Sequence, residues 1–253
     1  MSFQHRPKIV TDGLVFCIDA AAKRSYPGSG TTWYDLSPNE NNATLNDSPA
    51  NILLDGGAFD FDGTSDYANV VDYGGNFPTG DFSIDAVFKR HFTSSTQNVY
   101  ILYLADGFSI YFRGSWANDT CYFMRKVNGS SYYGGSAWSG FTAVAISSAN
   151  MGSQTLTHVC ATMESNSTTG IGRAYKSGNL SNTSNLYVDG AGGTNNNGGF
   201  QTPTSTNDLF LAATSTTSNK FDCTISSLKI YNKVLTPDEV TQNYNAHKSR
   251  YNV

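Results

Sequence analysis

"FDCTISSLKIYNKVLTPDEVTQNYNAHK" (Phe221–Lys248) carries two periodicities, and the change between them decides the fold. In its first half Phe221, Cys223 and Ile225 share one parity, while Leu228 and Ile230 have the other. Successive side chains of a strand point to opposite faces, so a one-residue slip would turn the second group toward water. A bulge at Ser226–Ser227 restores a single apolar face and is the expected device. After Leu235 the pattern becomes helical. Thr236 can act as N-cap, Pro237 suits the first helical position, and Glu239 three residues after Thr236 completes a capping box. Val240, Tyr244 and His247 then share one face. The segment predicts a strand with a bulge, followed by a helix over Pro237–Lys248.

Upstream, short apolar runs alternate with turn residues, as in a sandwich or barrel. "GLVFCIDA" (Gly13–Ala20) reads as an early strand. "GAFDFDG" (Gly57–Gly63) alternates Phe59 and Phe61 with Asp60 and Asp62. "FSIDAVFKR" (Phe82–Arg90) turns Phe82, Ile84, Ala86 and Phe88 inward and Asp85 the other way. "NVYILYLADGFSIYFRG" (Asn98–Gly114) reads as a hairpin turning at Asp106-Gly107, and "TCYFMRKVNGSSYYGG" (Thr120–Gly135) as another turning at Asn128-Gly129. "TLTHVCATM", "SNLYVDGAGG" and "NDLFLAAT" are later strands, and "GTNNNGG" (Gly193–Gly199) a loop. The sequence predicts one all-β domain over residues 9–253, preceded by a short polar arm over residues 1–8.

Composition narrows the function. The chain has 253 residues, 39% hydrophobic and 13% aromatic, enough apolar area for a large core. Its net charge is −4, without a basic run, which argues against nucleic acid as a partner. No apolar run approaches the length of a membrane span. "MSFQHRPKIV" (Met1–Val10) lacks an apolar core, so no secretory signal is expected and synthesis is expected in a cytoplasm. Cys17, Cys121, Cys160 and Cys223 have no paired spacing, which argues against zinc and for buried free thiols, with a single disulfide as the alternative.

Six segments, in order along the chain, carry a resemblance: "IVTDGLVFCIDAAAKRSYPGSGTTWYDLS", "FDFDGTSDYANV", "FSIDAVFK", "LTHVCATM", "NLYVDG" and "CTISSLKIYNKVLTPDEVTQNYNA". The chain resembles the laminin-G-like, concanavalin A-like jelly-roll modules of tailed-phage structural proteins. The resemblance implies a two-sheet antiparallel jelly-roll sandwich with a short C-terminal helix. It also implies that "SYPGSGTTWYDLSPNENNATL" (Ser25–Leu45) is not a spacer but an ordered connection, with Tyr26, Trp33 and Tyr34 held against a sheet edge and Asp35 binding backbone amides. The family usually has Gly-Asn-Gly-Asn-Asn-Gly where this chain has Pro38-Asn39-Glu40-Asn41-Asn42-Ala43, so that loop is expected to take its own shape.

Three functions are weighed. The leading one is a non-enzymatic virion component (head decoration, fibre or tail protein) that contacts other virion proteins and itself. The first alternative is a lectin-like module for cell-surface glycans and host attachment. Its stacking rings would be Trp33, Tyr34, Trp116, Tyr132, Tyr133 and Trp138. The second is a glycoside hydrolase, disfavoured because no Glu-x-Asp-x-x-Glu occurs and Asp85 stands alone on the relevant strand. The four histidines, His5, His91, His158 and His247, form no metal-spaced pair. The one cofactor considered is calcium, at Asp60, Asp62 and Asp66; the alternative there is a tight turn whose aspartates cap backbone amides.

Overall fold

The computed structural model describes residues 8–52, 56–91, 98–112, 120–126, 141–146, 155–164, 169–187, 189–190, 194–195, 202–217 and 219–253. Most strands, numbered along the chain, fall into two eight-stranded sheets in which every pairing is antiparallel. In spatial order the first sheet holds β14 (Asn179–Tyr187), β13 (Thr169–Lys176), β12 (Thr157–Met163), β7 (Phe82–Arg90), β18 (Asp222–Tyr231), β5 (Ala58–Asp62) and β4 (Ala50–Ile52). The start of β18 pairs with β5 and its end with β1 (Leu14–Asp19). The second sheet holds β11 (Phe141–Ile146), β10 (Cys121–Lys126), β9 (Phe108–Phe112), β8 (Val99–Leu104), β17 (Leu209–Leu211), β6 (Tyr67–Val70), β3 (Ala43–Asn46) and β2 (Thr32–Trp33). A separate two-stranded pair joins β15 (Asp189–Gly190) to β16 (Thr194–Asn195).

Period-two patterning sends one face of each sheet into a shared core. Phe16, Ile18, Phe59, Phe61, Phe82, Ile84 and Phe88 of the first sheet meet Leu102, Phe108, Ile110, Phe112, Phe123 and Leu211 of the second. The bulge lies where the parity changes: pairing of β18 with β7 shifts between Ile225 and Ser227, so Ile225, Leu228 and Ile230 all enter the core. Asp106 has φ 60° at the β8–β9 turn, where the Gly107 amide donates to the Leu104 carbonyl. Besides β9, the antiparallel partner of β10 is Phe141–Ile146, in register Lys126 to Phe141. The strand therefore does not return immediately after Asn128-Gly129, and that predicted turn lies outside the described residues. Within the predicted Gly193–Gly199 loop, Thr194–Asn195 forms β16.

Helix α1 (Pro237–Tyr251) begins as expected and runs three residues beyond the predicted end. The Glu239 amide donates to Thr236 Oγ1 at 3.3 Å, and the Thr236 amide donates to Glu239 Oε2 at 2.9 Å. Its buried face is Val240, Asn243, His247 and Tyr251, with Tyr244 half-buried beside it. This face covers the outer side of the first sheet. All four cysteines are free and buried, and among the described residues no helix is long and apolar enough to cross a membrane. Residues 1–7 of the predicted arm lie outside the described residues.

Candidate functional site

The aromatic connection is ordered, and its rings face different ways. Trp33 is 0% exposed, edge-on to Phe59 at 4.7 Å; Tyr26 meets the same ring at 4.8 Å. A ring in the core cannot stack on a sugar, so Trp33 is corrected from candidate contact to core residue. Tyr34 remains 42% exposed, its amide donating to the Ser25 carbonyl. Asp35 organises the loop: Oδ1 accepts from the amides of Cys17 and Ser37, and Oδ2 from the Asn41 amide and the Ser37 hydroxyl. Glu40 sits at φ 55°, at the third position of the motif, where the family has glycine. The backbone thus makes a left-handed turn there without glycine, which costs about 1–2 kcal/mol for an ordinary side chain. Trp116, Tyr132, Tyr133 and Trp138 lie outside the described residues.

The three aspartates face separate partners. Asp62 Oδ1 accepts from the amides of Thr64, Ser65 and Asp66 at 2.8, 2.9 and 3.1 Å. Those bonds, that of Ser65 foremost, hold its carboxyl below the usual value. Asp60 Oδ1 accepts from Thr224 Oγ1 and lies 3.4 Å from His91 Nε2. Burial, then the charge of Asp62, raises Asp66. Among the described residues no group of three or more His, Cys, Asp or Glu is placed to hold a metal ion.

The strand on which an acid or nucleophile was sought carries a buried ion network instead. Asp85 Oδ1 accepts from Lys229 Nζ at 2.9 Å, and Oδ2 lies 2.8 Å from His158 Nε2 and 3.3 Å from Asn243 Nδ2. All four side chains are buried, three of them beneath α1 and Asn243 on its inner face. Burial alone would raise the Asp85 carboxyl; the Lys229 ammonium, then His158, outweigh it and hold the group well below the carboxylate range. A sealed carboxylate already bound by three partners has no route to a substrate.

The outer face of the second sheet is different. Tyr122, Tyr111 and Tyr100 are directly opposite one another on β10, β9 and β8. Their rings stack in sequence, with centroids 5.5 and 5.2 Å apart and planes 23° and 22° apart. A second row crosses the sheet through Met124, Ser109, Tyr103, Phe210, Asn69, Thr44 and Thr32. Tyr103 meets Tyr100 edge-on at 5.5 Å, and Tyr67 lies 6.3 Å from Phe210. Hydrogen-bonding groups adjoin the rings: Asn46 Nδ2 donates to Asn69 Oδ1, and Asn69 Nδ2 to Asp208 Oδ2. Lys220 Nζ sits 4.1 Å above the Tyr67 ring, its pKa lowered by burial. Stacking spends the ring faces of Tyr111 on its neighbours. Tyr100, Tyr103 and Tyr122 are half-buried.

Among the described residues, none of the outward strand residues in these rows is a carboxylate; the one beside them is Asp208, bonded to Asn69. The sequence reading missed this row. Tyr111 and Tyr122 stand at outward parity in "SIYF" and "CYFM", but Tyr100 and Tyr103, three residues apart in "YILY", share a face only because the pairing of β8 with β9 shifts between Tyr100 and Leu102.

The family model of the concanavalin A-like lectin/glucanases superfamily matches residues 62–241. The chain belongs to that superfamily. A search of curated proteins finds no match. Among solved structures, the binding domain of botulinum neurotoxin DC in complex with rat synaptotagmin II superposes with a TM-score of 0.65 at 14% identity, covering 94% of this superfamily member and 52% of the neurotoxin chain. The same domain in complex with SialylT gives 0.64 at 15%, with 94% and 52% covered. A structure described by the dependence of botulinum neurotoxin type C cell entry on two ganglioside molecules gives 0.64 at 16%, with the same coverage. The chain spans about half the length of these structures. At such identities the likeness shows the fold alone.

Proposed function

We propose that the protein is a non-catalytic glycan-binding module whose contact surface is the outer face of the second sheet. The observation that carries this reading is the stacked tyrosine row beside a second row that runs from Tyr103 through Phe210 into the Asn46–Asn69–Asp208 amide and carboxylate group. Apolar rings beside fixed hydrogen-bonding groups complement a pyranose, which has C–H faces and a hydroxyl rim. A hydrolase of this architecture would need two carboxyl groups roughly 5–10 Å apart across the bond to be cleaved. Asp85 is sealed under α1, and the outward rows carry no such pair.

The test is retention on immobilised neutral and sialylated polysaccharides. Tyr103→Ala and Asn69→Ala should each weaken retention at least tenfold, while Tyr34→Ala should leave it unchanged. Absence of retention on every polysaccharide, or equal retention by all variants, overturns the assignment. Release of reducing sugar by the intact protein would show an enzyme instead.

The resemblance to tailed-phage modules extends the proposal to a setting. The module is displayed on a virion, made in the host cytoplasm, and held by contacts with other virion proteins and with copies of itself through the arm over residues 1–8. Deleting Ser2–Lys8 should leave the fold intact and reduce incorporation into particles; normal incorporation would remove the arm as anchor.

A further inference from the structure

Beneath α1 lies a polar cluster with too few acceptors. Neither ring nitrogen of His247 has a hydrogen-bond partner among the described residues, nor does Nδ1 of His158. Both rings are buried, with centroids 6.3 Å apart. His247 faces Tyr251 and Arg250 of its own helix, Lys229 of β18, Asp85 of β7 and His158 of β12; beyond them Tyr244 packs on His158, Tyr231 adjoins Cys17 of β1 and Cys160 of β12, and the Tyr251 hydroxyl reaches Asp19 of β1. The anions are committed. Asp85 holds Lys229, His158 and Asn243, and Asp19 holds Arg250 and the Tyr251 hydroxyl. A proton on His247 would therefore add a cation beside Lys229 and Arg250, with N–H donors that have nowhere to bond. A buried charge without a partner is among the costliest features a folded chain can hold.

The helix packs on a cluster of its own. Val240 packs with Val10, Cys160, Tyr175, Tyr231 and Leu235 in a small cluster separate from the core between the sheets. The helix also clamps the chain before β1. The Val10 amide donates to Asn243 Oδ1, and Gln242 Nε2 donates to the Lys8 carbonyl. The Tyr231 hydroxyl, which accepts from Asn243 Nδ2, donates to the Val10 carbonyl.

We propose that α1 is a proton-operated latch: protonation of His247 detaches the helix, together with the Lys8–Val10 segment it clamps, from the first sheet while the two-sheet core stays folded. Burial, then Lys229, already lowers the affinity of His247 for a proton in the closed state. The open state recovers an ordinary imidazole, so acid favours opening. If His247 stays neutral when closed, opening should be on the order of 30-fold more frequent at about pH 5 than at about pH 7.5.

Hydrogen exchange on the full chain, read by mass spectrometry and corrected for intrinsic exchange, tests this. Peptides from α1 and from residues 8–12 should lose protection together as the pH falls, while peptides from β7 and β9 keep theirs. His247→Gln should flatten that response, and His247→Phe serves where the glutamine variant folds poorly. Three results would each overturn the latch: simultaneous loss from helix and strands, no acid response in α1, or an undiminished response in either His247 variant.

Discussion

Trp33 and Tyr34 are neighbours in sequence and differ in fate. One completes the core against Phe59 and the other faces solvent, because adjacent side chains of an extended chain point to opposite sides. Trp33→Ala should cost about 3–5 kcal/mol by leaving a cavity, read from the denaturant midpoint. It should reduce glycan retention only insofar as it unfolds the protein. At Asp62, three amides already occupy Oδ1. A calcium chelator should therefore leave the melting temperature unchanged; a fall restored by added calcium and absent in Asp62→Ala would make the turn a metal site.

At the scale of elements, the cap and bulge of the last strand–helix unit were legible because both are local. A capping box spans four residues, and a parity change lies within one strand. Thr236→Ala should cost about 1 kcal/mol, seen in thermal melts. The Asp85 network was not legible, since Lys229 and His158 reach it from distant strands. Asp85→Asn should cost about 3–5 kcal/mol by leaving Lys229 buried without its counter-charge, and adding Lys229→Met should recover most of that loss in chemical denaturation.

For the whole molecule, the sandwich has two outer faces with opposite fates: α1 covers one, and the tyrosine rows occupy the other. The covered face sets the response to acid. His247 has a folded pKa below its unfolded value near 6.5, so the unfolded state takes up protons first and stability falls as pH drops below that value. Asp85 is also depressed when folded; its contribution is present above the unfolded value near 4 and is lost as pH falls below it. Melting temperature should be highest near neutrality and decline in two stages, the first absent in His247→Gln. A flat profile down to about pH 5 would mean that His247 is not kept neutral in the folded state.

Local pattern alone settled the all-β class, the inward residues of β7, the bulge in β18 and the start of α1, because each rests on neighbouring side chains and the fixed geometry of strand or helix. Tyr111 and Tyr122 alternate with apolar residues, a signal the sequence reading did not take up, and Tyr100 joins them through the register shift in β8. Only the tertiary structure made them one row. Period two says which face a residue takes, and cross-strand register says which residues on that face touch. The same holds beneath α1, where Asp85, His158, Lys229 and His247 come from four separate elements and acquire their chemistry from burial together.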